Sequence, residues 1–347
     1  METPAVKIDL AKVDANIAGT QKIFDDLGVA FRPHIKTHRI PEFAQRQLDA
    51  GAIGITCQKI GEAEVMAGSG IDDILITYNI LGDEKLARLA ALAGRCTLSV
   101  TADNDTVVDG LSKAFANAPE PLEVLVECDT GQGRCGVQSP EAAAALAASV
   151  DRASGLRFGG LMTYPPMADM QAVDQWLRAA KAACEASGLS CQRVSNGGTP
   201  NLARVDQVTV ATEHRAGTYI YNDRSLVNAG ACQLEQCALT VVSTVVSRPT
   251  ADRAIIDAGS KALTSDLLGM EGHGHILGAA GAVIGGLSEE HGHVDLSGSG
   301  WQPSVGDVIE IVPNHACVVS NLVDAVHVVD ANNEIRLVEV AARGCSQ

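Results

Sequence analysis

The chain has 347 residues, 46% hydrophobic and 20% charged, and carries a net charge of −16 at pH 7. That composition supports a sizeable core and excludes a mostly disordered chain. A field this negative, with no Lys/Arg run and only 3% aromatic residues, sets nucleic acid aside as a partner. No apolar run approaches the roughly 18 residues of a membrane span, so no membrane role is expected either.

Residues 1–10 show no basic stretch followed by an apolar one, and the ten cysteines are scattered without a CxxC pair. Reduced thiols in a cytoplasm are therefore expected. Residues 5–10 alternate as a strand does. Eight short apolar, β-branched runs follow, at 29–35, 52–57, 73–78, 97–101, 122–128, 158–164, 191–195 and 208–221. Helical spacing fills 84–93, 105–116, 140–153 and 172–187. Eight strands alternating with helices predict an α/β fold, a (β/α)8 TIM-type barrel over residues 11–228. A doubly wound open sheet is the poorer fit, because no Gly-rich dinucleotide fingerprint follows the first strand. Beyond about Asn228 the texture changes to β-type runs at 238–247, 253–257, 293–296, 307–312, 325–329 and 334–341, separated by Gly, Asn and Pro. This predicts a C-terminal all-β domain over 229–347, joined by the strand at 1–10.

Several strand ends carry residues suited to chemistry. The first barrel strand ends in Arg32-Pro33-His34-Ile35-Lys36-Thr37-His38. A lysine there points into the barrel mouth, where desolvation favours the neutral amine of a Schiff base; a surface lysine beside a turn is the alternative. The fifth strand ends in Asp129-Thr130-Gly131-Gln132-Gly133-Arg134-Cys135-Gly136. The glycines mark a tight loop, and Arg134 suits either an oxyanion or plain solvent. Ser195-Asn196-Gly197-Gly198-Thr199 and Ala216-Gly217-Thr218-Tyr219 follow strands seven and eight, where barrels often bind phosphate. In the β domain stands Pro313-Asn314-His315-Ala316-Cys317. His-x-Cys at a strand end would put both side chains on one face, and a thiolate with an imidazole favours zinc; a buried cysteine beside an unrelated histidine is the alternative. His273, His275, His291 and His293 are possible third ligands.

Taken together, PHIKTH, DTGQGRCGV, SNGGT, AGTY and PNHAC resemble the metal-activated, pyridoxal-phosphate-dependent D-threonine aldolase and D-serine dehydratase family. Cys57-Gln58-Lys59 with Gly61-Glu62-Ala63, Asp257-Ala258-Gly259 and Glu290-His291-Gly292 extend the resemblance over nearly the whole chain. It implies an alanine-racemase-like fold of type III, a barrel plus a C-terminal β domain. It implies that Lys36 binds pyridoxal phosphate covalently, that Arg134 lies near the phenolic oxygen and that Tyr164 lies close to the cofactor. Gly197, Gly198, Thr199, Gly217, Thr218 and Tyr219 would hold the phosphate, and His315 and Cys317 a divalent metal, zinc or manganese. The expected substrate is a D-3-hydroxy amino acid and the expected assembly a homodimer.

The resemblance implies retro-aldol cleavage to glycine and an aldehyde, or dehydration to a keto acid and ammonia on the same site. A racemase would need a second catalytic tyrosine and no metal pair; a non-catalytic cofactor carrier would lack the β domain. One departure stands out. Aldolases of the family commonly place histidine after the cofactor-proximal tyrosine, whereas here Tyr164 is followed by Pro165-Pro166-Met167-Ala168-Asp169. Asp169 or a metal-bound hydroxide could serve as base instead. Asn321-Leu322-Val323-Asp324 also differs from the family at one position.

Overall fold

The computed structural model describes residues 1–167 and 169–347. The chain opens with β1 (Ala5–Asp9) and α1 (Leu10–Leu27), then enters a run of short parallel strands. These are β2 (Ala30–Phe31), β3 (Ile55–Cys57), β4 (Asp73–Ile76), β5 (Thr97–Ala102), β6 (Leu122–Cys128), β7 (Leu156–Thr163), β8 (Arg193–Gly197) and β9 (Glu213–Arg215). Helices α2 (Pro41–Asp49), α3 (Ile60–Gly68), α4 (Asp83–Ala93), α5 (Asp105–Phe115), α6 (Pro140–Arg152) and α7 (Met170–Ala186) lie between them. The strand order is β2-β9-β8-β7-β6-β5-β4-β3, and a parallel bridge between His34 and Thr56 joins the two ends. The eight expected strands and their barrel are present.

Local signals set the helix starts. Asn104 and Ser139 each accept a bond from the backbone N–H three residues on, at 3.1 Å, and Pro140 occupies the first turn of α6. The expected strand at 208–221 is cut down to β9, because the chain forms a 3-10 turn at Thr218–Ile220 directly after Ala216-Gly217.

Period-two alternation sorts the barrel side chains. Glu213 and Arg215 share one face of β9, with Ser195 of β8. Arg32 Nε donates to Glu213 Oε2 at 2.9 Å and its Nη1 to Asp73 at 2.6 Å. Arg193 reaches Glu123 at 2.8 Å and Glu213 at 2.9 Å. Ser195 Oγ donates to Glu213, and Arg215 Nη1 donates to Ser195 Oγ at 2.5 Å. Burial alone would raise the Glu213 carboxyl, but Arg32 and Arg193 outweigh it and hold it below the usual range. A small apolar cluster, Leu75, Leu125 and Met162, is fully buried.

On the opposite face of β9, His214 stacks on Phe24 of α1 at 5.0 Å, and Phe24 stacks on Phe31 at 4.6 Å. Burial, then the neighbouring Arg215, lowers the imidazole to a pKa of about 3. Among the described residues neither of its ring nitrogens makes a hydrogen bond, nor does the amide of Asn196, its register partner on β8.

The second compact unit comprises Met1–Gly19, Thr37–Ile40 and Thr218–Arg343; the barrel unit comprises Thr20–Lys36, Pro41–Gly217 and Gly344–Gln347. The division at Gly217–Thr218 and the short Thr37–Ile40 insert differ from the ranges read off the sequence. Its elements are α8 (Arg224–Asn228), β10 (Leu239–Thr250), β11 (Arg253–Ile256), α9 (Ser260–Leu263), β12 (His275–Ile276), β13 (Val283–Leu287), β14 (Gly292–Asp295), β15 (Val308–Val312), α10 (Ala316–Leu322), β16 (Ala325–Val329) and β17 (Ile335–Glu339). The sheet runs β13-β14-β11-β10-β1-β16-β17, with β15 pairing to β10 and β12. As expected, β1 belongs to this sheet, antiparallel to β10 and parallel to β16.

Two predictions follow the barrel's buried charges. Glu213→Ala leaves two guanidiniums without their shared carboxylate and is expected to cost about 3–5 kcal/mol in denaturant unfolding. A loss under about 1 kcal/mol, the range of surface pairs, would show the network to be dispensable. For His214 the folded pKa lies below the unfolded value of 6.5, so the unfolded chain takes up a proton that the folded chain refuses. Stability should therefore fall as pH drops from about 6.5 towards 3, and His214→Leu should flatten that part of the midpoint-versus-pH curve.

Candidate active site

At the barrel mouth, Lys36 lies half-buried in a 3-10 turn (Ile35–Thr37) directly after the first strand. Its N–H donates to His34 Nδ1 at 3.4 Å. His34 Nε2 lies 3.1 Å from Gln58 Oε1, whose amide Nε2 donates to the Thr77 carbonyl at 2.7 Å. Gln58 thus offers an acceptor to His34, which places the imidazole proton on Nε2 and leaves Nδ1 to receive the Lys36 N–H.

The 129–137 loop is closed by Asp129, whose Oδ1 accepts from the N–H groups of Gly131 at 3.0 Å and Gly133 at 3.1 Å. Gly136 is obligatory here: at φ +119° a Cβ would come within 2.4 Å of the Asp129 nitrogen. The loop carries Arg134 over the Tyr164 ring, 4.9 Å from the centroid, and 3.7 Å from Glu127 at the end of β6. Glu127 is buried, which raises its carboxyl despite Arg134 and Arg215. Sequence reasoning brought Arg134 and Tyr164 forward but passed over Glu127, although it stands in the same strand-end segment.

After β8 the backbone turns through Gly198 at φ +112°, whose N–H donates to the Arg215 carbonyl at 2.6 Å. A Cβ at Gly197 would meet Arg215 Nη2 at 2.9 Å, and one at Gly198 would lie 3.5 Å from Tyr164. Gly197 is required by the close approach of Arg215 and Gly198 by its positive φ. Arg215, also missed in the sequence, spends Nη2 on the Thr163 carbonyl at 2.7 Å; burial brings its pKa down to about 10. Lys36, Arg134, Tyr164, Gly197, Gly198 and Gly217 all belong to this unit, as does Thr199, which opens a 3-10 segment (Thr199–Gln207).

Asp169, one of the two candidates for the base, stands at the start of α7. Its Oδ1 accepts the Ala172 N–H at 3.0 Å and caps α7 in an exposed position.

The second unit holds His315 and Cys317, though not on a strand. β15 ends at Val312; His315 is the N-cap of α10 and Cys317 lies in its first turn. The two side chains meet through the geometry of a helix start, aided by Asp223, whose Oδ2 accepts the Ala316 N–H at 3.0 Å. Hydrogen bonding to Cys317 raises His315 to a pKa of about 9, burial opposing and the thiolate charge and Asp266 adding to the rise. Burial alone would raise the Cys317 thiol; His315, Thr218 and Thr37 outweigh it and lower it. Thr37 Oγ1 lies 3.2 Å and Thr218 Oγ1 3.3 Å from Sγ. The Thr218 hydroxyl is therefore engaged with the Cys317 sulfur.

His315 Nδ1 is 2.7 Å from Asp266 Oδ2, a contact across 49 residues that no motif signals. Asp266 sits between Thr264 (φ +65°) and Leu268 (φ +49°), two non-glycine residues in left-handed backbone, each a strain of about 1–3 kcal/mol. Among the described residues no three His, Cys, Asp or Glu side chains form a metal-holding group, so none of His273, His275, His291 and His293 completes one with His315 and Cys317 in this structure. A soft thiolate, an imidazole and a carboxylate on the far imidazole nitrogen nonetheless form a donor set that suits zinc with open positions for water or substrate.

Residues 8–225 match the family described as alanine racemase, N-terminal domain, and residues 238–329 the putative serine dehydratase domain. The chain is 35% identical to the D-threonine aldolase of Arthrobacter sp., over 100% of its own length and 94% of that protein's. It belongs to the D-threonine aldolase and D-serine dehydratase family. Within this family, the structure of D-threonine aldolase from Filomicrobium marinum matches with a TM-score of 0.92 at 31% identity, covering 100% of this chain and 97% of that one. D-threo-3-hydroxyaspartate dehydratase from Delftia sp. HT23 matches at 0.89 with 30% identity, covering 98% and 97%. Solved variants of that dehydratase replace a histidine, and a cysteine two positions after it, by alanine; the cysteine variant is a metal-free form.

The depressed Cys317 thiol has a direct consequence in metal-stripped protein. At neutral pH, iodoacetamide should label Cys317 well ahead of Cys57 and Cys128, whose buried thiols are pushed far up. His315→Ala should slow that labelling, as read by mass spectrometry of the peptides; an unchanged rate would separate the thiol's reactivity from the histidine.

Proposed function

We propose that this chain is a pyridoxal-phosphate- and divalent-metal-dependent lyase of D-3-hydroxy amino acids that cleaves Cα–Cβ to give glycine and an aldehyde. The observation that carries this reading is the His315–Cys317 pair with Asp266 on His315 Nδ1, a metal-type donor set that racemisation does not require. When bound, pyridoxal phosphate takes up negative charge left at Cα, and a divalent ion polarises the β-hydroxyl as a Lewis acid.

The chain's residues divide the remaining work. Lys36 Nζ would hold the cofactor covalently. Arg134, kept beside Glu127 and over Tyr164, neutralises the phenolic oxygen. Gly197, Gly198, Thr199, Gly217, Thr218 and Tyr219 present backbone N–H groups to the phosphate. His315 Nε2 and Cys317 Sγ take the metal, since Asp266 occupies His315 Nδ1. In the net reaction the β-hydroxyl loses its proton, the Cα–Cβ bond breaks and Cα gains a proton, so D-threonine yields glycine and acetaldehyde.

Dehydration is the second reading, and Cys317 favours it: D-threo-3-hydroxyaspartate dehydratase carries a histidine and a cysteine at the same spacing. It would expel the β-hydroxyl after loss of the Cα proton and end in a keto acid and ammonia. The homodimer and cytoplasmic location stay part of the proposal as family properties.

Product analysis with D-threonine and D-serine, with zinc or manganese added, tests the proposal. Glycine and acetaldehyde are expected; keto acid and ammonia would move the assignment to the dehydratase. L-amino acid as the main product would overturn both. Lys36→Ala should abolish turnover and the cofactor's bound absorbance, and His315→Ala should keep that absorbance while losing metal-dependent turnover.

A further inference from the structure

We propose that Asp266 is the positioning residue of the metal pair: its carboxylate accepts the Nδ1–H of His315, fixes the tautomer and presents Nε2 alone to the ion. The inference rests on reading His315 and Cys317 as metal ligands, and it extends that reading to a residue no motif marks. Three observations carry it.

The first is geometric. Asp266 Oδ2 lies 2.7 Å from His315 Nδ1, within the range of a charge-assisted bond. A histidine held this way has one nitrogen left for a ligand and a more basic one at that.

The second concerns what the pair contributes without a metal. The two side chains are 29% and 41% exposed, so their attraction is screened and adds little to folding. Yet the loop that delivers Asp266 holds Thr264 and Leu268 in left-handed backbone on either side of it. For a β-branched residue such as Thr264 that conformation is a true outlier. Strain concentrated around a weakly stabilising contact fits a placed functional group better than a structural ion pair.

The third is how firmly the loop is tied to the residue beside His315. Asn314 is 1% exposed, and its Nδ2 donates to the Asp266 carbonyl at 3.0 Å and to the Gly272 carbonyl at 2.8 Å. Arg224 Nη1 donates to Asn314 Oδ1 at 3.0 Å and to the Gly272 carbonyl at 3.2 Å. Thr264 Oγ1 accepts the Asp266 N–H at 3.3 Å. The backbone of Asp266 and the residue preceding His315 are thus one hydrogen-bonded piece, and the distance between carboxylate and imidazole is set by it. Cys317 has its own outer partners in Thr37 and Thr218.

The test uses the full chain with its cofactor bound, stripped of metal by a chelator and titrated with zinc against a chromophoric competitor. Cobalt(II) replaces zinc in a parallel titration, with the thiolate-to-cobalt absorption reporting Cys317. Asp266→Ala should weaken zinc binding by about 10–100-fold while far-UV circular dichroism and the cofactor spectrum stay unchanged. Asp266→Asn keeps shape and an acceptor oxygen but no charge, and should fall between wild type and the alanine variant. At saturating cobalt both should still show the thiolate band. Zinc affinity within twofold of wild type for both variants would overturn the positioning role. Failure of the metal reading has a separate signature: wild-type protein that binds no zinc, or a Cys317→Ala variant with unchanged affinity and cobalt spectrum, removes the metal pair and the inference together.

Discussion

Glu213 stays ionised deep in the barrel because two guanidiniums, those of Arg32 and Arg193, meet it from different strands. The mouth of the barrel hangs on that arrangement. Ser195 hands the contact on from Glu213 to Arg215, and Arg215 in turn fixes the Thr163 carbonyl just before Tyr164. Its own carbonyl takes the Gly198 N–H. A buried charge is costly to strand, so the strands that bear these residues cannot slip in register without leaving one unpaired. A polar barrel interior therefore does for register what an apolar interior does by shape, and it ends at the rim that carries Tyr164 and the Gly197-Gly198 turn.

The start of α10 obeys a different constraint. Helix α10 starts between His315 and Cys317, so the thiol sits in a first turn, where backbone N–H groups favour negative charge. Asp223 is spent twice: it caps α8 through the Leu226 N–H and holds the Ala316 N–H, the peptide between His315 and Cys317. His315 and Cys317 shift one another in opposite directions, the imidazole up and the thiol down.

Much of this was legible in the chain because the relevant signals are local. Parallel strands buried on both sides read as continuous apolar runs, and Asn104, Ser139 and Pro140 punctuate the helices as caps should. Lys36, Arg134 and the two glycine loops stand at strand ends, where a barrel places its chemistry. The β domain was harder. β12 has only two residues, and β13 contains Gly285-Gly286, which carries no strand propensity. His315 and Cys317 were found for the wrong geometric reason, since a pair two apart converges at a helix start as well as on a strand. Glu127, Arg215 and Asp266 escaped altogether. Their roles lie in contacts across the fold, and a lone carboxylate or arginine in a sequence says nothing about which distant side chain it will face.

The order of residues along the chain adds a last constraint. Thr37 and Thr218 both hydrogen-bond the Cys317 sulfur, and they directly follow Lys36 and Gly217, two positions proposed to hold the cofactor. Hydroxyl donors on a thiolate withdraw charge from it and so tune its strength as a ligand. Because each hydroxyl belongs to the residue next to Lys36 or Gly217, a backbone shift at either position also moves a partner of the sulfur. The hydroxyls themselves can change without altering the proposed cofactor contacts, which use the Lys36 amine and backbone N–H groups. Divergence of ligand strength within such a family would then be expected first in the side chains at 37 and 218, with the backbone around them kept.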